Sequence, residues 1–443
     1  MSEKLSVKSE RALAISILEE ILDTGAYANI ALRKALADSE LDSRSRAFVT
    51  ELVNETLRNL LLIDHVLNKF SKSTPVNEMK PFIRGVLRIS VCQIRHMGKI
   101  PPHAAVNEAV LLTRAFGFEN LTGFVNGVLR AIQRDKTPVP SNPQLKYSYP
   151  KWLYKHLVKN LGEAGALEFC EKSHQPAPVV VLTNTHKTTV EQLIQSLDMQ
   201  GVEATPVTSA SSTSTSPDAS SESPFLKLRH MGDMSKLTAF KEGLFFVMDT
   251  GAIHAVNALN VKKAQQSQTI IDVCAAPGGK SFATAINMGN VGKILAYDIY
   301  PHRVELIRQT SKRLDLSIIT PSVKDALVYD PTLEGIADAV LLDAPCTGFG
   351  IIRKHPELKY TRTSKDISIL AEKQLKMLEV ASRYVKQGGV LVYCTCTIGD
   401  EENINNVKTF LSNHPNYTLD YSEQIKPSQT TDGFFVARFK HIL

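Results

Sequence analysis

The stretch Thr269–Ser281, TIIDVCAAPGGKS, runs from apolar, β-branched residues into a glycine-rich turn and then into helix-forming sequence. Such a strand–turn–helix unit lets the backbone at Pro277-Gly278-Gly279 pass close to a ligand, and the helix that follows offers unpaired N–H groups. The same alternation continues downstream. The apolar runs KILAYD, LSIITPSV, DAVLLD and GVLVYCT are separated by helical stretches such as HRVELIRQTSKRL and SILAEKQLKMLEVASRYVK. Strands alternating with helices predict a mostly parallel sheet covered on both faces, with ligands bound beyond the carboxyl ends of the strands.

The polar residues fall at those ends. Cys274, Ala275, Ala276, Pro277, Gly278, Gly279 and Lys280 form the first turn. Gly279, Lys280 and Ser281 match the end of a phosphate-binding loop, but Cys274 stands where its first glycine belongs, which disfavours a nucleotide triphosphatase. Asp298 closes the next strand, where nucleoside-binding folds place a carboxylate on ribose hydroxyls. Asp325 follows the third strand, within reach of an adenine edge. The fourth strand ends in Asp343, Pro345 and Cys346, and the fifth in the C-x-C of Cys394 and Cys396. Neighbouring strand ends bring these thiols to one crevice. Alternation along the strand sends Cys394 into packing and leaves Cys396, just past the strand, for chemistry. A C-x-C with one further cysteine is a weak zinc signature, and no metal is expected.

With 443 residues the chain is too long for one ordinary core. Hydrophobic residues at 43% and charged residues at 22% describe a globular protein. A polar amino terminus and the lack of a long apolar run predict a cytoplasmic location, where six cysteines stay reduced. Residues 1–136 read as a helical bundle, 137–150 as a proline-bearing linker, 151–244 as a small α+β module and 245–443 as the α/β domain. Residues 205–224 are so rich in Ser, Thr and Pro that they read as an insertion without a core.

The net charge of +6 is unevenly spread, with nine Lys/Arg against three Asp/Glu from Lys80 to Lys136. On a helix, Lys80, Arg84, Arg88 and Arg95 share one face. That stripe suits a polyanion, and a solvated helix face explains it equally well.

DVCAAPGGK, DAPCTGFGIIRKHPELKY and YCTCTI resemble motifs I, IV and VI of the S-adenosylmethionine-dependent RNA 5-methylcytosine methyltransferases of the Nop2/Sun (Fmu) family. The helical amino-terminal region resembles a NusB-like RNA-binding domain. The resemblance implies an α/β, Rossmann-like methyltransferase domain, an all-α NusB-like domain and the small α+β module between them. It implies S-adenosyl-L-methionine held by residues 274–280, Asp298, Asp325 and Asp343. Cys396 would attack carbon 6 of cytosine, Asp343 would hold the ring, and Cys346 would act in product release. The expected partner is RNA, small-subunit (16S) ribosomal RNA first and transfer RNA as the alternative, with no DNA, no membrane and a monomeric chain. A non-catalytic RNA-binding or antitermination factor is the competing class; intact Asp298, Asp325, Asp343, Cys346 and Cys396 argue against it. The chain departs from the family at Met248 and Gly251-Ala252, where polar residues are usual.

Overall fold

A computed structural model describes residues 9–72, 74–207, 223–261 and 267–442. Most of the expected insertion, residues 208–222, lies outside the described residues. By internal contacts the chain forms two compact units, Met1–Gln175 with Ile352–Ser364, and Pro176–Ile351 with Lys365–Leu443. No helix among the described residues is long and apolar enough to cross a membrane.

The first unit is helical. Its longer helices span Glu10–Thr24, Ala28–Ala37, Ser43–Arg58, Leu60–Phe70, Pro81–His96, Pro102–Ala115, Thr122–Arg134 and Lys151–His174. Local chemistry sets their ends. Ser9 caps the first helix by accepting from the Ala12 N–H, and Gly25, at φ 73°, ends it by donating to Ile21 O. Ile15, Ile17, Leu52, Val86 and Leu129 fill the core. At Gly85 the helices Glu10–Thr24 and Pro81–His96 approach so closely that a Cβ would lie 2.6 Å from Ile15 Cγ2.

The basic stripe on Pro81–His96 is partly internal. Arg88 makes a two-pronged pair with Asp64 at 2.8 and 2.6 Å, and Arg95 reaches Asp135 Oδ2 at 3.0 Å. Half of the four cations are thus spoken for within the bundle. Lys80 stays exposed, with its ammonium over the Phe118 ring.

The division by contacts differs in two places from the one read off the sequence. Helix Lys151–His174 packs with the helical unit, and so does the segment Ile352–Ser364 from within the α/β sequence. Burial explains both. Tyr147, Ser148 and Tyr149 of the expected linker are buried, and Lys359 and Glu357 of the inserted segment are 2% and 0% exposed. Glu357 accepts from the Ala28 N–H, while Lys359 Nζ donates to Arg58 O at 2.8 Å and Tyr147 O at 3.1 Å.

Burial, and next the Arg58 charge, push the Lys359 amine down to about 7. A neutral amine still has two N–H donors for the two carbonyls. The unfolded chain binds this proton up to about pH 10.4, so between pH 7 and 10.4 the unfolded state holds more protons and stability rises with pH. Denaturant unfolding at pH 7 and pH 9 is expected to show a gain of about 2 kcal/mol from this group. Lys359→Met removes that increment; an unchanged pH dependence in the variant excludes Lys359 as its source.

The second unit holds two sheets. The smaller contains β1 (Val179–Thr183), β2 (Glu203–Pro206), β3 (Phe225–Arg229) and β4 (Phe245–Val247), ordered β2-β3-β1-β4 and antiparallel throughout. Helix Val190–Asp198 carries a capping box between Thr189 and Gln192. This module is not free-standing. Arg313 stacks on Phe240 at 3.9 Å, and Asn184 Nδ2 donates to Gly243 O and Leu314 O.

The larger sheet contains β5 (Thr269–Asp272), β6 (Lys293–Asp298), β7 (Ile319–Val323), β8 (Ala337–Asp343), β9 (Val385–Thr395), β10 (Tyr417–Ile425) and β11 (Phe434–His441). Its order is β10-β11-β9-β8-β5-β6-β7. Strands β5 to β9 pair in parallel, and β11 and β10 are antiparallel. The order reverses between β5 and β8, so a crevice opens beyond their carboxyl ends. Ile270, Ile294, Val392 and Val436 pack one face; Ile271, Val340, Leu391 and Phe439 pack the other.

Candidate active site

The first wall of the crevice is the turn after β5. Gly278 adopts φ 109°, and a Cβ there would lie 2.2 Å from the Phe282 ring, which is itself packed edge-on against Phe246. Only glycine leaves the backbone in this path. The turn is tied down by Ala275 N donating to Tyr297 O and Gly278 N to Ala275 O, both 2.7 Å. Beneath it, Ser281 Oγ donates to the buried Asp272 at 2.6 Å. Burial raises the Asp272 carboxyl to about 7, opposed by that hydrogen bond. Burial and the surrounding carboxylates likewise hold Cys274 as a neutral thiol.

Asp298 sits buried at the end of β6, its Oδ1 accepting from Tyr300 N at 3.0 Å. Asp325 follows β7 and accepts from Leu327 N at 2.9 Å. A glycine-cleared backbone, the N-terminus of helix Gly279–Asn287 and carboxylates at successive strand ends suit a nucleoside bearing a cationic centre. Asp298, Asp325 and the turn 274–280, the residues expected to hold S-adenosylmethionine, thus line successive strand ends of one sheet. Gly278→Ala is expected to weaken S-adenosylmethionine binding about tenfold or more, because a strained φ alone costs about 1–2 kcal/mol. Calorimetry with the cofactor reads this directly; an unaltered Kd would separate the turn from the cofactor.

The second wall holds Asp343, Lys280 and three cysteines. Asp343, at the end of β8, binds Lys280 Nζ at 2.5 Å through Oδ2. Burial works against the Lys280 charge, but the Asp343 carboxylate outweighs it and holds the ammonium above the ordinary lysine range. Cys394 is fully buried in β9, its thiol 3.5 Å from Asp343 Oδ1 and kept neutral chiefly by burial. Cys346 and Cys396, from adjacent strand ends, lie with their sulfurs 3.2 Å apart. The contact with Cys396, and then burial, push the Cys346 thiol far above its usual range. Two thiolates cannot coexist at that separation. Cys346 therefore keeps its proton, which its thiol can direct at the Cys396 sulfur.

The expected site residues thus gather along one sheet edge. Sequence reading missed their supports. Thr347, Thr397, Gln374, Glu402 and Asn403 are all buried directly behind the two thiols. Glu402 lies in the run Asp400–Asn403, DEEN, which locally reads as solvated surface, so nothing in the linear pattern pointed to it. The departures at Met248 and Gly251 also gain an explanation. Met248 is buried in the core, and Asp249 and Thr250 supply the polar contacts, Asp249 Oδ1 accepting from Asp432 N and Thr250 bonding Thr430 and Thr431. Among the described residues no group of three His, Cys, Asp or Glu is arranged to hold a metal.

Comparison with known proteins agrees along the whole chain. Residues 258–440 match the family described as 16S rRNA methyltransferase RsmB/F, residues 8–134 the NusB family, and 149–213 the ferredoxin-like domain of RsmF/B-type methyltransferases. A probable ribosomal RNA small subunit methyltransferase B of Bacillus subtilis is 32% identical, with 98% of each chain covered. The ribosomal RNA small subunit methyltransferase B of Shewanella oneidensis is also 32% identical, over 97% of this chain and 98% of its own. Among solved structures, PH0851 superposes with a TM-score of 0.78 at 27% identity, covering 99% of this chain and 100% of that one. A methyltransferase homologue from Pyrococcus horikoshii gives 0.55 at 26%, covering 69% and 100%. With relatives 32% identical over nearly the whole chain, and family models matching both its α/β domain and its helical amino-terminal region, the chain belongs to the S-adenosylmethionine-dependent ribosomal RNA small subunit methyltransferase B family.

Proposed function

We propose that the protein methylates carbon 5 of a cytosine in small-subunit (16S) ribosomal RNA through a covalent adduct to Cys396. The observation that carries this reading is the 3.2 Å approach of the Cys346 and Cys396 sulfurs just past the ends of β8, which closes on Asp343, and β9. Bound S-adenosylmethionine supplies a methyl group made electrophilic by its sulfonium. Carbon 5 of cytosine is too weak a nucleophile to accept it unaided. Addition of the Cys396 thiolate to carbon 6 converts the ring to an enamine and makes carbon 5 reactive, which divides one difficult step into easier ones. Asp343 accepts a hydrogen bond from the exocyclic amino group of the cytosine and so orients the ring for attack.

Cys346 changes character during the cycle. Its raised pKa owes most to Cys396. Once Cys396 is bonded to carbon 6 that contact is gone, and Cys346 can give its own proton to solvent and then, as thiolate, accept the carbon 5 proton. Elimination then breaks the carbon–sulfur bond, restores the ring double bond and returns Cys396 as thiolate. Attack from above the ring plane needs an unstacked base, so the target lies in a loop or is turned out of its helix. The basic residues of the helical unit grip phosphates around it, in the cytoplasm, and binding weakens steeply with salt.

The test is methyl-labelled S-adenosylmethionine with ribosomal RNA from cells lacking the protein, followed by identification of the labelled nucleoside. Label in 5-methylcytosine of the small-subunit RNA is expected. Label in another nucleoside overturns the covalent mechanism, and label confined to transfer RNA overturns the substrate assignment.

A further inference from the structure

Glu402 and Asn403 stand behind the two thiols, both only 2% exposed, and their side chains reach both cysteine-bearing turns. Glu402 Oε1 accepts from Thr347 N and from Gln374 Nε2, both at 2.9 Å, and Oε2 accepts from Thr347 Oγ1 at 2.5 Å. Thr347 directly follows Cys346. Since its hydroxyl donates to Glu402, the Thr397 hydroxyl must donate to Thr347 across 2.6 Å, while Phe349 N donates to Thr397 Oγ1 at 3.3 Å. Asn403 completes the brace. Its Oδ1 accepts from Thr395 Oγ1 at 2.6 Å, and its Nδ2 donates to Thr397 O at 3.3 Å and Gln424 Oε1 at 2.8 Å. Thr395 and Thr397 flank Cys396. A last link, Gly350 N to Cys396 O at 3.0 Å, joins the turns directly, with room for no side chain at Gly350.

A buried carboxylate is costly unless donors surround it, and three do so here, two of them from the residue after Cys346. It stabilises one relative placement of two loops from different strands. We propose that Glu402 is a positioning residue that sets the Cys346–Cys396 geometry, so that Cys346 stays in reach of carbon 5 while Cys396 is bonded to carbon 6. The inference rests on the covalent reading above and adds a residue outside its reacting atoms. Without the carboxylate, Thr347 N and Oγ1 lose their acceptor and the Cys346 turn is free to shift. Misplacement by about 1 Å costs on the order of 100-fold in rate. Product release should suffer more than cofactor binding, because the brace lies behind the thiols and away from residues 274–280.

The experiment compares full-length wild type, Glu402→Ala, Glu402→Gln and Cys396→Ala with labelled S-adenosylmethionine and small-subunit ribosomal RNA. It reads turnover, the fraction of denaturant-stable protein–RNA adduct, and cofactor Kd by calorimetry. Glu402→Ala is expected to lose about 100-fold in turnover, keep its cofactor Kd within about twofold, and accumulate adduct. Glu402→Gln should recover to within about tenfold of wild type, since its amide oxygen accepts from Thr347 N and its NH₂ donates to Thr347 Oγ1. Wild-type turnover without adduct in Glu402→Ala overturns the proposal, and so does parallel loss of cofactor binding, which marks a merely structural role. If Glu402→Ala does not fold, Thr347→Val removes one arm of the brace, and wild-type behaviour there is equally fatal. An active, adduct-forming Cys396→Ala would instead overturn Cys396 as the attacking residue; inactive Cys396→Ala beside normal Glu402→Ala overturns the brace alone.

Discussion

Cys396→Ala is expected to bind S-adenosylmethionine as the wild type does and to transfer no measurable methyl group to RNA. Removing the attacking atom of a covalent mechanism costs on the order of 10⁴-fold or more. None of the neighbouring sulfurs can take over. Cys394 is fully buried and held as a thiol on the Asp343 side of its strand. Cys346 lies close by, but its sulfur sits on the other strand-end turn, 3.2 Å from that of Cys396, and a misplacement of about 1 Å already costs on the order of 100-fold. The half-buried Cys396 leaves little core behind when truncated, so the melting temperature should change little. Single-turnover transfer of labelled methyl, with calorimetry as the control for cofactor binding, decides the outcome. Residual transfer within about 100-fold of wild type would mean that cytosine is activated without this thiol.

Asp343→Ala is expected to damage both stability and catalysis, for separable reasons. The Asp343–Lys280 pair is largely withdrawn from solvent, with side chains 27% and 14% exposed. Deleting the carboxylate strands the Lys280 ammonium against the Phe434 ring and the Cys394 thiol. Breaking a buried pair on one side costs about 3–5 kcal/mol. Asp343→Asn gives Lys280 a carbonyl oxygen to bond and should restore most of that stability. It should not restore methyl transfer, because an amide oxygen is a weaker acceptor than a carboxylate for the cytosine amino group and leaves the ring less firmly oriented. Denaturant unfolding and labelled methyl transfer on the two variants separate the effects. If the Asp343→Asn variant supported near-normal transfer, the carboxylate would be a partner for Lys280 and no more.

Much of this protein was written in local pattern. The alternating apolar runs foretold the parallel strands, and TIIDVCAAPGGKS foretold the turn at Gly278, because a glycine-rich strand-to-helix junction has few other uses. Period-two alternation correctly sent Cys394 inward and left Cys396 at the strand end. These features depend on neighbours within a few residues, so the linear order contains them. What required the tertiary structure depends on partners far apart in the chain. Arg88 and Arg95 look like a polyanion stripe until Asp64 and Asp135 fold against them. Lys359 is a cation in an α/β stretch, yet it is buried between Arg58 O and Tyr147 O of the helical unit. Glu402 belongs to a run of charges that ordinarily faces water, and only the meeting of two strand ends surrounds it with Thr347 and Gln374. The sequence by itself determined the sheet, the glycine turn after its first strand and the thiols at its strand ends, since periodicity and turn chemistry are local. The folded chain alone decided how those thiols are held, because the burial of a charge is settled by donors that the sequence keeps up to 55 residues away.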